Sequence, residues 1–382
     1  MSARSALEPI VAPSFSPDRP ISTRKRWRQV ISLAGALALL AVSRPSSAQM
    51  VAAPPLQVLP NQVSKIVNGQ SARFLGPLPD SQKMQLTIVL PLRNQDQLDK
   101  LLVRLYDPGS SDYHKFLSVE EFTDQFGPTA DDYQEVVEFA TANGFAVTGQ
   151  AKNRLVVAIE GTVAQVNGAF HVRMGEYQHP AENRSFFSPD REPSVALRAQ
   201  IAHIDGMDSL NLPRATNILL STNVPIANVN GSGPGGSYLG SDMRAAYYGG
   251  STLTGLNQTV ALVEFGGYLK SDVDLNFSGA GQTYGVPLEN ILVGSATNTV
   301  YQQDAEQVLD IVQAIGMAPG LSAVEVYIGD PTSESSPAAV LNQIATDDTA
   351  KQIGCSWLWI PGSIPAQEAI LQEMKSRVSN CF

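Results

Sequence analysis

Gln85-Leu86-Thr87-Ile88-Val89-Leu90 is an apolar run of strand length, and Asp96 to Leu105 carries Leu98, Leu101, Leu102 and Leu105 on one helical stripe. Asp107-Pro108-Gly109-Ser110 marks a turn between that helix and the next. Ser118-Val119-Glu120-Glu121 has capping-box spacing and opens a short predicted helix to Phe126. Pro128-Thr129 leads another helix, Ala130 to Ala142, closed by Asn143-Gly144. Arg154 to Glu160 reads as a strand, Thr162 to Phe170 as a helix and Val172 to Tyr177 as a strand. This order predicts an α+β domain, an antiparallel sheet with helices on one face.

After Ser241 the pattern changes to strands separated by helices. Strands are expected over Thr259–Phe265, Glu289–Val293, Ala323–Ile328 and Gln352–Trp357. Helices are expected over Gln303–Met317, Pro337–Ala350 and Pro365–Lys375. Such alternation implies an α/β domain whose parallel sheet is covered on both faces. Between the two, Asn217 to Gly240 is uncharged, rich in Asn, Ser and Gly, and aperiodic, as a linker is. It holds Gly231-x-Gly233-x-x-Gly236, formally a dinucleotide fingerprint, but no strong strand precedes it and Pro234 interrupts it, so the linker is the better account.

The first residues have another pattern. Arg24-Lys25-Arg26-Trp27-Arg28 precedes the 13-residue apolar run Val30–Val42 and then Ser46-Ser47-Ala48. A positive segment, a short apolar core and a small-residue ending predict a secretory signal cut after Ala48, residues 1–48. Thirteen residues fall short of the ~20 that span a bilayer. The expected location is extracellular or periplasmic, with no membrane association once the signal is removed. A Pro- and Ala-rich tether is expected over 49–79.

Charge and composition narrow the chemistry. With 26 basic and 36 acidic residues, a net charge of −10 argues against nucleic acid as a partner. The excess lies wholly after Thr216, where five basic residues face fifteen acidic ones. His114, His171, His179 and His203 all precede Thr216, so the second half has no histidine for a base or a metal ligand. Two cysteines, Cys355 and Cys381, exclude a disulfide scaffold and a multi-cysteine zinc site.

In the helix Asp304-Ala305-Glu306-Gln307-Val308-Leu309-Asp310-Ile311-Val312, the apolar face is Val308, Ile311, Val312 and Ile315. Glu306 and Asp310 lie four apart and should meet on the opposite side. Acidic pairs of this kind are common on solvated surfaces. This one lacks a compensating base along its helix, and like charges at that spacing weaken a helix. A carboxyl pair can also share a proton, one group acting as base while the other orients it. Ser322 and Ser356 are weak candidates for a nucleophile, since nothing in the sequence sets either against Glu306. Cys355 reads as a buried small hydrophobe, Asp347-Asp348 as surface, and His114 as structural. Asn257-Gln258-Thr259 and Asn276-Phe277-Ser278 are glycosylation sequons, meaningful only in a glycosylating host.

Several short motifs resemble one known family. Tyr113-His114-Lys115-Phe116-Leu117, Phe126-Gly127-Pro128, Asn143-Gly144-Phe145, Gly161-Thr162 and Ala169-Phe170 are similar to the activation domain of pro-kumamolisin-like precursors. Gly266-Gly267-Tyr268, the Glu306-x-x-x-Asp310 helix, Ala318-Pro319-Gly320 and Cys355-Ser356-Trp357 resemble the start of the sedolisin (serine-carboxyl) peptidase domain. The resemblance runs from about Asp80 to about Met374.

It implies a secreted, acid-acting endopeptidase with a subtilisin-like fold and a polypeptide substrate. The domain plan becomes signal (1–48), tether (49–79), activation domain (80–213), linker with processing region (214–240) and peptidase domain (241–382). Glu306 matches the general base and Asp310 the residue that orients it. Ser356 and Trp357 lie on the strand that binds substrate by extended pairing. The chain's own prodomain is implied as inhibitor and folding aid, and the acidic second half suggests interdomain charge pairs that acid would weaken.

The family's oxyanion aspartate in a Ser-Gly-Asp-Ser turn, its nucleophile in a Ser-Gly-Thr-Ser motif and its calcium loop find no match before Phe382. A truncated peptidase domain, inactive alone and without cofactor or metal ligands of its own, is therefore the expectation. Calcium belongs to full-length relatives. The alternatives are a non-enzymatic prodomain-like inhibitor or chaperone, and a gene remnant.

Overall fold

A computed structural model describes residues 54–215, 230–249, 252–333, 335–359, 364–377 and 380–381. The expected signal and most of the linker lie outside the described residues. No helix among the described residues is long and apolar enough to cross a membrane.

The N-terminal region begins with β1 (Leu56–Val58), α1 (Lys65–Asn68), β2 (Phe74–Pro77) and β3 (Lys83–Val89). Then come α2 (Gln95–Tyr106), α3 (Val119–Gln125), α4 (Ala130–Ala142), β4 (Ala146–Gln150), β5 (Val156–Thr162), α5 (Val163–Phe170) and β6 (Met174–Gln178). It ends with β7 (Ser185–Pro189), β8 (Ser194–Ala196), β9 (His203–Asp205) and β10 (Arg214–Ala215). The C-terminal region runs α6 (Gly240–Tyr248), β11 (Thr259–Phe265), α7 (Lys270–Gly279), β12 (Leu288–Leu292), α8 (Ala305–Met317) and β13 (Ala323–Gly329). It continues with α9 (Ser336–Asp347), β14 (Gln352–Cys355), β15 (Trp357–Leu358), α10 (Ile364–Ser376) and β16 (Asn380–Cys381).

The helices start where local chemistry places them. Ser118 accepts from the Glu121 amide while the Glu121 carboxylate accepts from the Ser118 amide, and Thr162 and Gln165 repeat the arrangement at α5. Each box satisfies amides that the first turn leaves without helical partners. Residues 54–79, expected as tether, instead carry β1, α1 and β2. The Gln57 amide bonds the Leu197 and Ala199 carbonyls, so a Pro-flanked segment becomes a covering strand.

The four-stranded antiparallel sheet β4-β5-β3-β9 has two different faces. On one, Leu86, Ile88 and Ile159 pack with Val136 and Ala140 of α4 and Val166 and Phe170 of α5. On the other, Val89 and Val156 join the core of the C-terminal region beside Ala338, Val340 and Leu341 of α9. The parallel sheet runs β12-β13-β11-β14-β16. Val273 and Phe277 of α7 and Ile311 and Ile315 of α8 cover one face. α9 and α10 cover the other, with Ile344 and Ile370 fully inside. The mixed architecture expected from periodicity, an antiparallel part followed by a parallel one, is what the chain adopts.

The two regions meet through polar as well as apolar contacts. Asn153, fully buried, donates to Asn342 Oδ1 at 2.7 Å and to Glu373 Oε2 at 2.6 Å. The Leu117 amide and the Tyr106 hydroxyl bond the Ser376 and Lys375 carbonyls, capping the C-terminal end of α10. Gly206 closes the contact beside α9. Its φ is +91°, and a Cβ there would lie 2.4 Å from the Gln85 carbonyl oxygen and 3.3 Å from Ser335 Cβ. Gly206→Ala is expected to destabilise by about 1–3 kcal/mol in urea unfolding, and a change below about 0.5 kcal/mol would contradict this.

Candidate active site

The site forms where the C-terminal ends of β11 and β14 face the N-terminal half of α8, the usual crevice of an open parallel sheet. Gln307 fixes the helix to the strand end: its Nε2 donates to the Phe265 carbonyl at 3.2 Å and the Gly266 carbonyl at 3.1 Å. Asp304 Oδ2 accepts from the Leu269 amide at 2.9 Å, tying the start of α8 to the loop after β11.

That anchoring turns the polar side of the helix inward. Glu306 is only 5% exposed, whereas Leu309 is 43% exposed. Glu306 and Asp310 are not a solvated acidic pair. They face inward, towards β11 and the β14–β15 junction, because the first turn of α8 is pinned by Gln307 over the strand ends. The pairing at i,i+4 was legible from spacing; the side it occupies was not.

A third carboxyl joins them, one the sequence reading missed. Glu264, wholly buried on β11, accepts from the Trp357 indole Nε1 at 2.7 Å and lies close enough to Asp310 for the two carboxyls to couple. Its signal was available: an acidic residue in the apolar strand Thr259-Val260-Ala261-Leu262-Val263-Glu264-Phe265. Ser356 Oγ donates to Asp310 Oδ1 at 2.9 Å and stands near enough to the Glu306 carboxyl to favour its ionised form. The tertiary structure therefore does place Ser356 against Glu306, which sequence alone gave no reason to expect. Ser322 lies elsewhere, its amide bonded to the Gln258 carbonyl. Cys355, read as a buried small hydrophobe, is half-buried at the end of β14 and packs against the core beneath it.

Electrostatics follow from burial. Desolvation raises all three carboxyls, strongly for Glu264, and the Asp310 charge raises Glu264 and Glu306 further. Ser356 opposes the rise at Asp310 and Glu306, and the Trp357 indole opposes it at Glu264. Glu264 Oε1 and Glu306 Oε2 are buried without a donor among the described residues. A proton on Glu264 lets its unpartnered oxygen donate to Asp310, which two ionised carboxylates could not do for each other. No hydrogen bond or ion pair among the described residues joins any of the three to Lys, Arg or His. No group of His, Cys, Asp and Glu among them is arranged to hold a metal ion.

Above Glu306 lies a cavity of about 320 Å³, lined by Tyr301, Gln307 and Trp357 on one side and by Leu212 and Arg214 on the other. Its wall is a strand pair: Arg214–Ala215 runs antiparallel to Trp357–Leu358, with Ala215 opposite Trp357. Phe265 supports Trp357 and Trp359 edge-on, at centroid distances of 5.3 and 5.9 Å. Extended chain thus lies across Trp357 beside a buried acid pair, and Arg214 is drawn the other way by Glu182, 3.7 Å from its guanidinium.

The chain is similar to several known proteins. Residues 70–210 match the family described as Pro-kumamolisin, activation domain. Sedolisin of Pseudomonas sp. (strain 101) is 26% identical over 315 residues, covering 80% of this chain and 53% of that protein. Xanthomonalisin of Xanthomonas sp. (strain T-22) is 27% identical over 338 residues, covering 83% and 40%. Kumamolisin of Bacillus sp. (strain MN-32) is 27% identical over 308 residues, covering 76% and 54%. Among solved structures, Pseudomonas sedolisin (serine-carboxyl proteinase) complexed with two molecules of pseudo-iodotyrostatin matches at 23% identity and a TM-score of 0.28, over 30% of this chain and 33% of that one. Residues 70–210 thus match a pro-kumamolisin activation domain, and most of the chain is similar to sedolisin-family proteins. The chain spans about half the length of the curated relatives it matches.

Proposed function

We propose that this chain is the precursor of a secreted, acid-acting serine-carboxyl endopeptidase, with a subtilisin-like second domain, and that it carries the base side of the catalytic site. Glu306 takes the proton of an attacking serine and Asp310 orients it. Glu264 keeps its proton and bonds Asp310, which leaves Asp310 free to pair with Glu306. A carboxylate base stays in its working form at a pH where imidazole is protonated and useless as a base. The observation that carries the reading is the strand pair beside the buried acids. Trp357–Leu358 offers backbone groups to an extended peptide, and Arg214–Ala215 of the same chain takes that place.

On this reading the N-terminal region inhibits by occupying the peptide-binding strand, and its removal opens the cleft. Processing within 214–240 falls largely outside the described residues. The sequence matches no family motif for the nucleophile or the oxyanion aspartate. Those groups are assigned to a polypeptide segment of the kind the longer relatives carry, and calcium with them.

Fragment complementation tests the proposal. The chain is mixed at pH 4 with a second polypeptide bearing the Ser-Gly-Asp-Ser and Ser-Gly-Thr-Ser segments of a relative, and hydrolysis of an unfolded polypeptide is followed. Turnover is expected with the wild-type chain and a loss of roughly 100-fold or more with Glu306→Gln. Turnover that survives Glu306→Gln would sink the base assignment. Inhibition of a full-length relative, with no turnover in any mixture, would favour the trans-acting inhibitor instead.

A further inference from the structure

Ser356 occupies a particular place in the fold. Cys355, the last residue of β14, pairs with Val263 inside the parallel sheet, and Trp357, the first of β15, pairs with Ala215 on the peptide-binding side. Ser356 between them belongs to neither ladder. The chain there passes from sheet to cleft, and the Ser356 hydroxyl reaches α8. Its Oγ lies 2.9 Å from Asp310 Oδ1 and is near enough to the Glu306 carboxyl to favour that group's ionised form. It stands between two cavities, one of about 320 Å³ bordered by Glu306 and Trp357, the other of about 310 Å³ bordered by Asp310 and Cys355.

We propose that Ser356 is a positioning residue, whose hydroxyl holds Asp310 and Glu306 as one hydrogen-bonded unit and ties that unit to the peptide-binding strand. The proposal rests on the base assignment above and adds a residue to it. Glu306 is one helical turn from Asp310, and side chains of that length have several rotamers each. A serine hydroxyl has one donor and two acceptor positions. It can donate to an ionised Asp310 and accept from a protonated Glu306, or donate to Glu306 when the proton moves. Because Ser356 adjoins Trp357, a peptide pairing with β15 sets the backbone that carries this hydroxyl. The titratable groups facing it are Asp310 and Glu306 from α8, Glu264 from β11 and the Cys355 thiol from β14. No Lys, Arg or His lines the cavity of about 310 Å³ among the described residues, and the cations bordering the cavity of about 320 Å³ are Arg184 and Arg214.

The test needs no turnover. The full chain is labelled with carboxyl-¹³C Asp and Glu, and Asp310 and Glu306 are titrated by NMR from pH 3 to 8 in wild type, Ser356→Thr and Ser356→Val. Threonine and valine have nearly the same shape, so they differ by the hydroxyl, and the Trp357 indole resonance reports that the strand is in place. In Ser356→Val both carboxyls are expected to titrate higher, Asp310 by roughly one pH unit, because an ionised form loses its donor. Ser356→Thr is expected to restore the wild-type curves. Equal curves in the two variants, with Asp310 and Glu306 still coupled, would overturn the positioning role alone. If Glu306→Gln leaves the Asp310 titration untouched in the wild-type background, the paired-acid reading itself fails and this role with it. Covalent labelling of Ser356 by a fluorophosphonate would also overturn it, by showing a nucleophile where a positioning hydroxyl is assigned.

Discussion

Arg377→Ala is expected to destabilise the folded chain by about 3–5 kcal/mol at pH 8 and by clearly less at pH 5, read from urea midpoints. Arg377 is 2% exposed, at the C-terminal end of α10. Its guanidinium sits 2.9 Å from Glu373 Oε1 and 2.7 Å from Asp348 Oδ1, and also bonds the Ala345 carbonyl. Glu373 is wholly buried and takes its other hydrogen bond from Asn153 of the N-terminal region. Alanine would leave Glu373 with that amide as its remaining partner, and an unpaired buried carboxylate is the costly outcome. Acid relieves it, because a protonated Glu373 needs no counter-charge. The double variant Arg377→Ala/Glu373→Gln should therefore recover much of the loss at pH 8. A single-variant loss of the same size at both pH values would refute the mechanism.

The second large effect is on the wild-type protein, which should be several kcal/mol more stable at pH 5 than at pH 8. Burial pushes Glu373 up to about 7, against the lowering effects of Asn153 and Arg377. Burial likewise pushes Asp208 up to about 6, against the lowering effects of Ser188, Leu210 and Arg184. A carboxyl whose folded pKa lies above its unfolded value binds more protons when folded. Its contribution grows as pH falls from the folded to the unfolded pKa and is lost as pH rises again. For these two the window runs from about 7 down to about 4, and each shift of two units or more is worth about 3 kcal/mol. Below that window the sign reverses. Glu182, Asp190, Asp242 and Asp274 are held under the usual carboxylate range, chiefly by hydrogen bonds from Arg184, Arg191, backbone amides and Lys270, so stronger acid removes their contribution. The urea midpoint should rise from pH 8 to about 5 and then fall, and Glu373→Gln should flatten the rise. A midpoint that only falls on acidification would contradict this.

This changes the expected route of prodomain release. The acidic second half suggested ion pairs between the regions that acid would break. Among the described residues the ion pairs stay within each region, and the side-chain hydrogen bonds across the interface join amides, hydroxyls and carbonyls, with the Glu373 carboxyl as one acceptor. Protonating Glu373 weakens one acceptor for Asn153 while removing a buried charge. Mild acid by itself is therefore not expected to separate the regions.

Much of the fold could be read from spacing. Ala130–Ala142 and Thr259–Phe265 form at the predicted bounds, because a full amphipathic stripe and a run of β-branched residues each leave one good conformation. Short strands were missed. β7 (Phe186, Ser188) and β9 (His203, Asp205) hold polar and aromatic residues whose pairing depends on a partner far along the chain. The same holds for the site. Glu306 and Asp310 stood out because four-residue spacing is a local property of a helix. Ser356 and Glu264 join them only because β11 and β14 are adjacent in the sheet, though about 90 residues apart in sequence.

What the sequence determined by itself is therefore local: the periodicity of each long element, the helix caps, the histidine-free acidic half and the i,i+4 carboxyl pair. The tertiary structure decided which side of α8 is buried, which hydroxyl and which third carboxyl face the pair, and which strand carries the chain's own peptide. Those outcomes depend on desolvation and on contacts between distant segments. A carboxyl's spacing fixes its neighbour on the helix, but only the packing around it fixes its dielectric surroundings and hence its proton.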